Sequence, residues 1–180
     1  MEVYLPLIIS ISALMFAIFS FWWMNWRRGK LQVGGPRSFA AKGSKNDRLL
    51  IELPFVFFND GPKPIIVQNL RLVLPGEEPE GKPLHFIATV ETLGKDTGRA
   101  LASQFPVPGR QALRLICEFQ RRPGDFVFEA REYLIELQAV LDDSTTWIRL
   151  CSFKLRIRKD YLSDINERFI AYDNWLPEDS

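Results

Sequence analysis

The chain has 180 residues, 47% of them hydrophobic and 25% charged, with a formal net charge of +1. That length admits one ordinary domain with additions, and that composition excludes disorder of the chain as a whole. The net charge singles out no partner, but its distribution is uneven: residues 27–48 carry seven basic side chains and one acidic, whereas residues 159–180 carry two basic and six acidic.

The first element predicted is a transmembrane helix over residues 3–26, which contain no charged side chain. About twenty helical residues cross the roughly 30 Å hydrocarbon layer. The Leu, Ile, Val and Phe side chains of this run each favour insertion by roughly 0.3–0.6 kcal/mol, against the polar Ser10, Ser12 and Ser20. Pro6 falls near the first turn, where a missing N–H costs little. A signal peptide fits less well: Glu2 stands where positive charge is expected, the apolar run is long, and bulky residues fill the place of a small-residue cleavage site. Trp22, Trp23 and Trp26, followed by Arg27, Arg28 and Lys30, suit the lipid headgroup level. The same basic residues place the amino terminus outside and residues 27–180 in the cytoplasm by the positive-inside rule. Ala13 and Ala17, four residues apart, match the spacing that lets two membrane helices approach closely.

Residues 27–48 read as a basic flexible linker, with scattered Gly, Ser and Lys and little periodicity. From Leu49 the hydrophobic period becomes two, the signature of strands. Seven strands are predicted across residues 49–158. They lie in the runs LLIELPFVFFN, IIVQNLRLVLP, LHFIATVE, a short stretch from Leu101 to Val107, QALRLICEFQ, EYLIELQAVLDD and WIRLCSFKLRIR. In the second run Ile66, Leu70, Leu72 and Leu74 are assigned to one face, with Gln68 out of step. The expected fold is all-β: a seven-stranded antiparallel β-sandwich of immunoglobulin-like architecture, with an up-and-down barrel as the alternative. In the acidic tail, residues 159–180, Leu162, Ile165, Phe169 and Tyr172 recur at three- and four-residue steps, which predicts a short amphipathic helix.

Chemistry-bearing patterns are sparse. The one histidine, His85, lies out of step with the apolar face of its strand. Catalysis by histidine needs an oriented partner, and metal binding needs companions. Cys117 and Cys151 fall on apolar faces, far from a zinc-type pair; they are read as buried thiols in the cytoplasm, or as a potential disulfide if exported. No phosphate-cradling glycine motif or nucleophile elbow is present. The reading is therefore a non-enzymatic chain with no cofactor, no metal and no nucleic-acid partner. Its partners are membrane lipid and a protein bound at the cytoplasmic face. The candidate contacts are Ala13 and Ala17 in the span, Asn59 and Asp60 in one turn, Arg121 and Arg122 in another, and Phe169 and Trp175 in the tail. Two alternatives accompany it: an accessory subunit of a larger membrane complex, and a ligand-binding or enzymatic domain using His85, Glu77, Glu78 and Arg122.

Overall fold

The structure, a computed structural model, describes residues 4–44, 47–77, 82–95 and 97–174. Helix α1 (Tyr4–Asn25) is followed by β1 (Leu31–Val33), β2 (Ser38–Lys42), β3 (Leu49–Asn59), β4 (Ile65–Val73) and β5 (Leu84–Val90). Next come β6 (Ala100–Leu101), β7 (Phe105–Val107), β8 (Ala112–Arg121), β9 (Glu132–Leu141) and β10 (Ile148–Arg156). A single 3-10 turn (Lys159–Tyr161) leads into α2 (Leu162–Ile165) and β11 (Ile170–Asp173).

The strands form one antiparallel sheet in the order β10-β9-β4-β5-β8-β3-β2-β11, with β1 added to β3, β6 to β5 and β7 to β4. The all-β expectation holds, and all seven expected strands are present, one of them split into β6 and β7. The architecture differs: a continuous eleven-stranded sheet curls into a half-barrel where two separate packed sheets were expected. Strands β4 and β5 pair only at Arg71↔His85 and Leu72↔Leu84, leaving the rest of each free to diverge. Beyond those pairs β6 continues beside β5 and β7 beside β4. The break between β6 and β7 lets one segment serve both strands.

Alternation fills the concave face. Leu49, Ile51, Leu53, Phe55 and Phe57 of β3 point inward with Cys117 and Phe119 of β8, Leu84 and Phe86 of β5, and Tyr133, Ile135 and Leu137 of β9. Each large apolar side chain so buried contributes roughly 1.5–3 kcal/mol. Phe119 packs against Phe55 and Phe86 at ring-centroid distances of 6.4 and 5.8 Å. Phe126, Phe128 and Tyr133 close one end of the half-barrel with near-perpendicular rings.

In β4 the inward residues are Ile65, Val67, Leu70 and Leu72, so Ile66 is not on the core face as predicted. The register against β9 shifts between Val67 and Asn69. A bulge at Gln68 inverts the alternation, which is why that residue looked out of step.

Residues 27–48, expected as a flexible linker, carry β1 and β2. Phe39, Ala40 and Ala41 are fully buried, because β2 lies between β3 and β11. The tail differs too. Its helix is one turn long, since the Asn166 side chain turns away to bond the Phe128 backbone, accepting its N–H at 2.9 Å and donating to its carbonyl at 3.0 Å. Residues 170–173 then extend along β2. Ile165 is fully buried, so this stripe packs on the chain's own sheet.

Candidate functional site

At the end of the half-barrel where α1 joins the sheet, the chain segments come into close backbone contact. This end is built from the α1 exit, the β3–β4 turn, the β7–β8 turn and the β9–β10 hairpin. Glycine makes the approach close. A side chain on Gly29 would sit 2.2 Å from Asn59 Oδ1 and 2.4 Å from the Gly61 nitrogen, and one on Gly61 would meet the Gly29 Cα at 2.2 Å. Gly109 lies equally tight against the Pro62 carbonyl.

Hydrogen bonds fix this junction. The Lys30 N–H donates to Asp60 Oδ1 at 2.6 Å, and the Asp60 N–H donates back to the Lys30 carbonyl at 3.3 Å. Arg27 donates to the Asp60 carbonyl at 2.8 Å, while its guanidinium carbon sits 4.8 Å from the centre of the Trp23 ring. Arg110 reaches across from the β7–β8 turn to donate to the Met24 carbonyl at 3.0 Å. That carbonyl is one of the last four of α1, which have no acceptor role within the helix, and a cation there also complements the helix dipole.

Asn59, expected as a partner contact, is instead fully buried. Its amide donates to the Lys63 and Val107 carbonyls and its oxygen accepts the Gly61 N–H. Asp60 is half-buried and engaged with residues 27 and 30. Arg121 is only 7% exposed; it holds the Gly124 carbonyl with two donors and the Lys82 carbonyl with a third. Burial lowers the pKa of its guanidinium, and Asp125 offsets part of that. Arg122 is exposed at the same turn, and Phe169 is half-buried. Ala13 and Ala17 lie on the uncovered surface of α1, whereas Ser10 and Ser12 turn their hydroxyls onto the Pro6 and Ile8 carbonyls of their own helix. Trp175 and Glu78 lie outside the described residues.

Comparison with known proteins finds no matching family model and no matching curated relative. The site therefore rests on this chain's own geometry.

Two features of that geometry were not legible beforehand. Beside the α1 exit a groove of about 460 Å³ is lined by Arg28, Lys63, Gln68, Asp142 and Asp143 among others. On the convex face, Glu52 and Glu118 stand opposite each other in register, 2% and 4% exposed. Like charges so placed repel. Arg99 grips Glu118 with two donors at 2.9 and 3.0 Å, and the Gly94 N–H donates to Glu52 at 2.8 Å. The β5–β6 loop thus closes over the acidic pair as a clamp. His85 is exposed, and Glu77 pairs with Arg131 through two bonds of 2.7 and 2.6 Å. Among the described residues no bond joins His85, Glu77 and Arg122 into one site.

Proposed function

We propose that the chain is a single-pass membrane protein whose half-barrel binds a protein partner at the cytoplasmic face. One observation carries the anchoring: α1 is long and apolar enough to cross a bilayer, and none of its side chains is buried against the domain although its exit is fastened to it. A helix of 22 residues extends about 33 Å, the thickness of the hydrocarbon layer. Arg27, Arg28 and Lys30 after the span support the cytoplasmic placement of the domain. Val56 and Phe58, 48% and 40% exposed on the convex face of β3, supply the apolar contact expected of a partner surface.

The anchor is tested by alkaline carbonate extraction with intact-mass measurement. The expected result is a membrane-retained chain that still contains residues 4–25; a chain shortened past Trp26 overturns it. The orientation predicts that protease added outside sealed vesicles spares residues 27–180. A photo-crosslinking side chain at Phe58 is expected to give a discrete protein adduct in membranes, and its absence removes this face as the partner surface.

A second reading has its own support. Ala13 and Ala17 share the uncovered surface of α1, which suits an accessory subunit packed through its span. Ala13→Leu with Ala17→Leu then abolishes co-purification of a complex that Phe58→Asp leaves intact.

A further inference from the structure

We propose that the groove beside the α1 exit holds the headgroup of a phospholipid, its phosphate between Arg28 and Lys63 and an ammonium group toward Asp142 and Asp143. The inference rests on reading α1 as a membrane span. Arg28 follows Asn25, the last residue of α1, by three positions; an extended chain therefore places its Cα within about 11 Å of the helix end. The headgroup layer on each side of the hydrocarbon core is roughly 5–7 Å deep, within reach of the long Arg28 side chain from that distance. The junction removes any slack. Gly29 is pressed against Gly61, and the Lys30–Asp60 bonds run in both directions. The β3–β4 turn carrying Lys63 is thereby held at the same height.

The lining dictates the chemistry. Arg28 and Lys63 are exposed and form no ion pair among the described residues. A guanidinium fork beside an ammonium suits a phosphate. Asp142 and Asp143 line the same groove. Asp142 uses Oδ1 to accept the Ile66 N–H at 3.0 Å, with a second carboxylate oxygen outside that bond, and Asp143 is exposed. These carboxylates repel a headgroup that carries negative charge alone and attract a primary ammonium. The pairing selects phosphatidylethanolamine over phosphatidylglycerol, and its three N–H donors set it apart from the methylated ammonium of phosphatidylcholine. A volume of 460 Å³ lies within the range of small-ligand clefts, about 300–1,000 Å³.

The experiment uses full-length protein in nanodiscs containing equal parts of the three lipids, with retained lipids identified by native mass spectrometry. The wild type is expected to retain phosphatidylethanolamine in preference to the others. Arg28→Gln with Lys63→Gln lowers that retention about thirtyfold, a factor of about five for each basic side chain beside a headgroup. Asp143→Asn shifts the preference toward phosphatidylglycerol. Equal retention of the three lipids by the wild type, or unchanged retention in the double variant, overturns the proposal, and the wild-type ranking decides the matter if a variant fails to fold. Inorganic phosphate or phosphoethanolamine that displaces the lipid from detergent-held protein at its own concentration assigns the groove to a soluble ligand and also overturns it. Protein recovered outside the discs overturns the anchor as well, a result separable from an inserted chain that retains no lipid.

Discussion

At the residue scale, two kinds of residue do work that their type conceals. Cys117 and Cys151 are free thiols facing the core side of the sheet. Burial pushes the Cys117 pKa far up, and it pushes that of the half-buried Cys151 up to about 11. The thiolate is the reactive form, and a raised pKa withholds it until the pH approaches that value. At pH 8 a thiol titrating near 11 is roughly 0.1% thiolate. Alkylation of the native protein is therefore expected to be slow at pH 8, to accelerate at Cys151 as pH rises toward 10, and to reach Cys117 only on unfolding. Intact-mass time courses measure this; equal, rapid labelling of both cysteines at pH 8 contradicts it. The glycines are the second kind. Gly61→Ala places a methyl group 2.2 Å from the Gly29 Cα, and the expected loss is about 2–3 kcal/mol, read as a lowered Tm of the full chain in detergent. Gly34→Ala, where an added Cβ meets nothing within 4 Å, is expected to leave the Tm nearly unchanged.

Among the elements, legibility followed how locally each burial is decided. Strands β5 and β9 alternate plainly because one face meets the core, whereas in β8 residues 116–119 are all buried, since the β5–β6 loop covers Glu118 on the convex face. In β2 alternation vanishes, since Phe39, Ala40 and Ala41 are all covered, and small residues between glycines resemble a stalk. Strand β11 hid behind a helical spacing. Ile165 and Tyr172 do pack inward, but through a turn ended by Asn166 and a strand that needs β2 as its neighbour. The partner contacts assigned to Asn59 and Arg121 failed for a related reason. Polar residues in turns read as solvated, and only tertiary approach shows them satisfying buried carbonyls. The joining of the tail to the far edge of the sheet had no local signal at all. Asn174 donates to the Pro36 and Lys154 carbonyls at 3.0 and 2.9 Å and accepts the Arg156 N–H at 3.0 Å. It thus ties the β10 edge to the segment entering β2. Asn174→Ala is expected to cost about 2–3 kcal/mol, with hydrogen exchange at Arg156 accelerated more than at Leu137 in the interior of the sheet. Uniform exchange across both sites would remove this role for Asn174.

At the scale of the whole molecule, on the proposed reading of α1 as a span, the junction converts an anchor into a fixed mount. A flexible stalk would let the half-barrel reorient freely above the bilayer. Here Arg110 on the Met24 carbonyl, Arg27 on Asp60 and the Gly29–Gly61 contact hold the helix exit from three sides. A spin label at Leu101, 80% exposed, is therefore expected to show a narrow distribution of depths relative to the bilayer. Arg110→Ala combined with Asp60→Ala broadens it. A broad distribution in the wild type argues for a hinge at residues 26–30.

The pairing of β2 with β11 also sets an order of events during synthesis. Strand β2 is synthesised well before its neighbour β11. At about 5–20 residues per second the interval between them is on the order of ten seconds. Throughout it, the free flank of β2 and the core beside it have no covering strand. Such an intermediate is a natural client for a chaperone, and a stop codon before Ile170 would make that transient vulnerability permanent.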